Sequence, residues 1–162
     1  MFYNNPNRRI LIIKSLLISG LALWCVGFLL PVLLPEIAGN NLIYQFLKLC
    51  YSRVCHQSNE ATFYINGSYL LVCARCSGIY LGAFLIIIPL LFMKPEWKLS
   101  LKPFVLFTTP LIIDAFAVRL SIYTYSKINA FITGLFFGSI VIIYIFNVLI
   151  NSLYKAKTVY EF

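Results

Sequence analysis

Four stretches of the chain stay apolar for about 20 positions, the length an α-helix needs to cross a bilayer core about 30 Å thick. They run from Ser15 to Leu34, Cys76 to Met93, Pro103 to Ile122 and Asn129 to Ile150. Hydrocarbon cannot satisfy backbone N–H and C=O groups, so each run predicts a helix. Arg8, Arg9 and Lys14 introduce the first run and Pro31 and Pro35 close it, while Lys94 and Pro95 end the second. The first, second and fourth contain no charged residue. The third holds Asp114 and Arg119, each costing about 2.5 to 3.5 kcal/mol at mid-helix.

Between residues 36 and 75 the pattern changes. Thr62-Phe63-Tyr64-Ile65 and Ser68-Tyr69-Leu70-Leu71-Val72 are β-favouring runs joined by Asn66-Gly67, a dipeptide that accepts the positive φ angles of a type I′ turn. Upstream, Leu42, Ile43, Phe46, Leu47 and Cys50 recur at helical spacing, so Asn40 to Ser52 reads as a short amphipathic helix lying at the membrane interface. The fold class is therefore an all-α integral membrane protein. It forms a single membrane domain, residues 1–162, with four transmembrane helices as two helical hairpins and a small outward β-hairpin between the first two helices.

Composition agrees with a bilayer as solvent: 61% of residues are hydrophobic and 11% charged, against about half and a quarter in soluble domains. The net charge of +8 would suggest nucleic acid on a soluble chain, but no basic cluster is interleaved with polar residues here. The charge instead reports orientation and contact with anionic lipid. With four spans, Arg8, Arg9, Lys14, Lys94, Lys98, Lys102, Lys155 and Lys157 share one side, against Lys48, Arg53, Arg75, Arg119 and Lys127 on the other. That excess puts both termini in the cytoplasm of a multi-pass protein of the plasma (inner) membrane. A cleaved signal peptide fits the first run poorly, because Trp24 precedes Cys25 where a lipoprotein site wants a small residue.

The second and fourth runs resemble each other. Ser77-Gly78-Ile79-Tyr80-Leu81-Gly82-Ala83 and Thr133-Gly134-Leu135-Phe136-Phe137-Gly138-Ser139 share the order hydroxyl, Gly, aliphatic, aromatic, apolar, Gly, small. Two Gly-x-x-x-Gly faces, Gly78 with Gly82 and Gly134 with Gly138, would let these helices cross closely.

The candidate chemistry lies in the outer segment. Of five cysteines, Cys25 falls within the first run, and the only histidine, His56, follows Cys55 directly. Cys73-Ala74-Arg75-Cys76 comes just after the hairpin. Three readings compete. Cys55, His56, Cys73 and Cys76 can bind zinc, or iron as second choice, with Cys50 as substitute because adjacent residues seldom both reach one ion. Alternatively Cys73 and Cys76 form a redox disulfide at a helix N-terminus, or the cysteines pair as structural staples; in either case no metal is bound. The histidine favours the metal, since a staple has no use for imidazole. Arg75, Asp114 and Asn129 form a second, polar constellation at depth. Asp114 and Arg119 are five residues apart on one helix and face different ways, which makes Arg75 the better partner for the carboxylate. Gln57, Glu60, Tyr69 and Tyr80 have no case beyond proximity.

Cys55-His56-Gln57, the hairpin with Phe63 and Gly67, and Cys73-Ala74-Arg75-Cys76-Ser77-Gly78-Ile79-Tyr80-Leu81-Gly82 together resemble a family of small bacterial integral membrane proteins classified as a domain of unknown function. Asp114, Asn129, Thr133, Gly134 and Gly138 match the same pattern, which spans roughly residues 45 to 140. Two positions depart from it. Thr62 stands where the family favours Ser, and Phe131 or Ile132 stands where an Arg is usual. The resemblance implies a shared fold and site but supplies no reaction. The expected function is metal binding at an outward Cys/His site above the polar pocket, with no catalytic residue assigned. Rival readings are a membrane thiol-disulfide oxidoreductase, similar to the quinone-coupled disulfide formers in its four helices and outward Cys-x-x-Cys, and a non-catalytic subunit of a larger membrane complex.

Overall fold

The computed structural model describes residues 6–37, 41–92 and 100–160. Five α-helices carry most of the chain: α1 (Pro6–Leu33), α2 (Leu42–Ser52), α3 (Ala74–Phe92), α4 (Leu101–Arg119) and α5 (Lys127–Tyr160). Between α2 and α3 lies an antiparallel pair of two-residue strands, β1 (Tyr64–Ile65) and β2 (Ser68–Tyr69).

Several boundaries differ from those expected. α1 starts at Pro6, where the missing N–H of proline costs nothing. It continues through Pro31, which removes only one donor; Leu34 N–H still reaches the Leu30 carbonyl at 2.9 Å. α4 stops at Arg119 rather than Ile122, because Ser121 turns into the left-handed region at φ 56°. α5 runs ten residues past the end of its apolar stretch. Met93, Lys94, Pro95 and Lys98, together with Asn40, lie outside the described residues.

Three helices contain stretches long and apolar enough to cross a membrane, Leu11–Leu33, Leu101–Arg119 and Lys127–Ser152. The corresponding part of α3, Ala74–Leu90, is shorter. Of the four expected spans, length and composition therefore support three among the described residues.

α3 and α5 form the most extensive helix contact and run parallel. A Cβ on Gly78 would strike the Phe131 carbonyl, and one on Gly82 the Leu135 carbonyl. In return, Gly134 lies against the Arg75 carbonyl and Gly138 against that of Ile79. Backbones meet directly along this seam, the close approach that small-residue spacing allows. α1 packs antiparallel on α3, with Cys25 Sγ 3.6 Å from the Tyr80 carbonyl. α4 lies outside α5, through ring pairs Phe104–Tyr144 and Phe107–Phe136 with centroids 5.1 and 6.0 Å apart. Asp114 is the one buried residue of α4.

At one end of this bundle the loops fold back onto it. Phe28, Val32, Tyr51, Cys55, Leu70, Leu71 and Val72 form a continuous buried cluster. The hairpin turn is as the dipeptide implies, Asn66 at φ 50° and Gly67 at φ 78°. The strands are shorter than the β-favouring runs, because Leu70, Leu71 and Val72 are all buried. Three consecutive inward side chains cannot follow the alternation of a strand.

Candidate metal centre

Two segments bring three sulfurs together. Cys73 sits at the N-cap of α3, where its carbonyl accepts from Ser77 N–H at 2.9 Å, and Cys76 lies in the first turn of that helix. Cys55 follows α2, with its own N–H bonded to the Tyr51 carbonyl at 3.0 Å. The chain then reverses through Gln57, whose φ of 50° is left-handed. Gln57 fastens that turn: its side-chain amide donates to the Leu71 carbonyl at 2.8 Å and the Lys48 carbonyl at 3.1 Å. Cys73 N–H donates to Cys55 Sγ at 3.1 Å.

The sulfur atoms of Cys55, Cys73 and Cys76 all lie within 4.8 Å of one another. Tetrahedral bonds of about 2.3 Å would hold three thiolates about 4 Å apart, so the triangle needs little contraction to close on an ion. Cys55 is buried, while Cys73 and Cys76 are half-buried. All five cysteines are free thiols. Hydrogen bonds from Cys73 and then Cys76 hold the Cys55 thiol far below its ordinary value, at about 2. Cys73, sharing the same proton network, is pushed up by its bond to Cys55.

His56 is not brought to this group. Its imidazole is exposed, and the three-sulfur cluster does not include it. Cys55 is buried and its neighbour His56 exposed, so the chain path between α2 and the turn at Gln57 sends the two adjacent side chains to different surroundings. Cys50, the expected substitute, lies on α2 outside the cluster, and Cys25 is buried within α1.

Beside the thiols lies the polar group. Arg75, between the two cysteines of α3, donates to Asp114 at 2.6 Å, with the side chains 26% and 7% exposed. The other carboxylate oxygen accepts from the Tyr123 hydroxyl. The Arg75 Nε is buried without a partner. Burial pushes the Tyr125 phenol up to about 12, and the neighbouring Cys73 adds to that shift. Asn129 is exposed and lines an open cleft of about 570 Å³ with Asp114, Tyr123, Leu106, Pro110 and Ile113. Arg119 is exposed. Gln57, Tyr123 and Tyr125 have parts here that their residue types alone did not signal; the cue to Gln57 was its place in the Cys55-His56-Gln57 motif.

The apolar helices and the thiol cluster at their end define a helical membrane protein with a candidate metal centre. The chain belongs to the family described as Predicted membrane protein (DUF2085), whose profile matches residues 55–144. That match opens at Cys55 and takes in the thiols, the hairpin, α3, α4 and part of α5. An uncharacterized protein of Methanocaldococcus jannaschii is 30% identical over 146 residues, covering 86% of this chain and 93% of its own. An uncharacterized protein of Methanothermobacter thermautotrophicus is 36% identical over 87 residues, covering 51% of this chain and 75% of its own. Both relatives are archaeal, whereas the expected resemblance was to a bacterial family. No solved structure matches the chain significantly.

Proposed function

We propose that the protein spans the plasma membrane four times, with both termini cytoplasmic, and holds a metal ion at its outer face through Cys55, Cys73 and Cys76. Zinc is the first candidate and iron the second. The observation that carries this reading is the triangle of free sulfurs, built from two chain segments and supplied with an N–H···S bond from Cys73. Soft thiolates suit zinc and iron, and a site of this kind contributes to folding when loaded. Asp114 and Asn129 line an open cleft, and Arg75, which follows the thiol Cys73 by two residues, ties that cleft to the cluster through its pair with Asp114.

Elemental analysis of detergent-purified protein, combined with thiol counting, tests the proposal. One ion per chain that disappears in Cys73→Ser supports it. Metal-free protein in which Cys73 and Cys76 cycle between two thiols and a disulfide under reductant would replace it with the oxidoreductase reading.

A further inference from the structure

Three thiolates leave one position of a tetrahedral ion without a protein ligand. Among the described residues no fourth His, Cys, Asp or Glu joins the sulfurs of Cys55, Cys73 and Cys76. Structural zinc sites close their shell with four protein ligands, whereas three ligands and an open position characterise sites that take an exogenous group. The opening is reachable, because Cys73 and Cys76 keep partial exposure while Cys55 is buried behind them. The surrounding wall is apolar and aromatic, with Phe28, Leu71, Val72 and Tyr80 in the same cluster.

We infer that this fourth position binds an exogenous low-molecular-weight thiol as its thiolate, an inference that rests on the metal-centre reading. Two arguments select a thiol. An ion carrying three thiolates matches a soft fourth donor better than an oxygen, and charge donated by those sulfurs weakens the Lewis acidity that would ionise a bound water. The first turn of α3, which carries Cys76 and follows Cys73, also turns the positive end of its dipole toward the thiols, whereas the charge of Arg75 is taken up by Asp114 at 2.6 Å. On binding, the thiol loses its proton to bulk water, its sulfur donates an electron pair to the metal, and the water in the fourth position leaves. No atom changes oxidation state.

Cobalt(II)-loaded, detergent-purified full-length protein tests the inference. Adding 2-mercaptoethanol should raise the sulfur-to-cobalt charge-transfer absorption by about one third, as four Co–S bonds replace three. His56→Ala should give the same starting spectrum and the same rise. A spectrum that responds to azide but not to 2-mercaptoethanol would overturn the thiol while leaving an open site. One that ignores both additions and changes in His56→Ala would mean that imidazole closes the shell. Failure of wild type to take up cobalt at all, with Cys73→Ser no different, is a separate result that overturns the metal centre itself.

Discussion

Arg75 belongs to three structures at once: its peptide lies between two cysteines of the triangle, its carbonyl packs on Gly134, and its guanidinium holds Asp114. Removing one member of such a pair strands a charge in a low-dielectric setting. Arg75→Ala should therefore lower stability by about 3 kcal/mol. The double variant Arg75→Met, Asp114→Leu should recover most of that loss, and thermal unfolding in detergent measures both. A double variant no more stable than the single would show that the pair acts through something besides mutual neutralisation. At the thiols, Cys50→Ser should leave bound metal unchanged while Cys55→Ser abolishes it, since Cys50 stands outside the triangle. Residue spacing made the Arg75–Asp114 contact readable: a five-residue step rotates about 140° around a helix, so Asp114 and Arg119 cannot both face inward. His56 was not readable in the same way. It stands exposed beside the turn at Gln57, and a left-handed φ at a glutamine leaves no mark in composition.

Among the helices, hydropathy located the apolar stretches but not the ends of the helical backbone. It reports where hydrocarbon is the solvent, and α5 keeps its hydrogen-bonded ladder after its side chains become polar. Proline was misleading for a related reason, since Pro31 loses a donor without ending α1. Spacing was more informative at the α3–α5 seam, where absent side chains bring two backbones into contact. Gly138→Leu should lower thermal stability by more than about 3 kcal/mol, above the usual range for overpacking, because the obstacle is the Ile79 carbonyl rather than a movable side chain. Gly20→Leu is the control, as a Cβ there meets nothing. Equal losses in the two variants would show that the seam is not what limits stability. α2 is held to α1 by a different device, the Tyr51 hydroxyl donating to the Trp24 carbonyl at 2.7 Å. Tyr51→Phe should cost about 1 kcal/mol in the same assay.

For the whole molecule, the proposed topology places the hairpin and the thiols on one side of the bilayer and the α3–α4 connection on the other. In a background lacking native cysteines, a single cysteine replacing Ile65 should react with an impermeant maleimide on intact cells. One replacing Lys98 should react only after permeabilisation, and the reverse pattern would invert the topology. The parallel α3–α5 seam has a further consequence in time. Gly78 and Gly134 are about 56 residues apart, so at about 5–20 residues per second the ribosome needs roughly 3 to 11 s to supply the partner of the first glycine face. Cys55, Cys73 and Cys76 are close in the chain by comparison and have all been synthesised before that interval begins. The three sulfurs can thus be brought together while α3 still waits for α5.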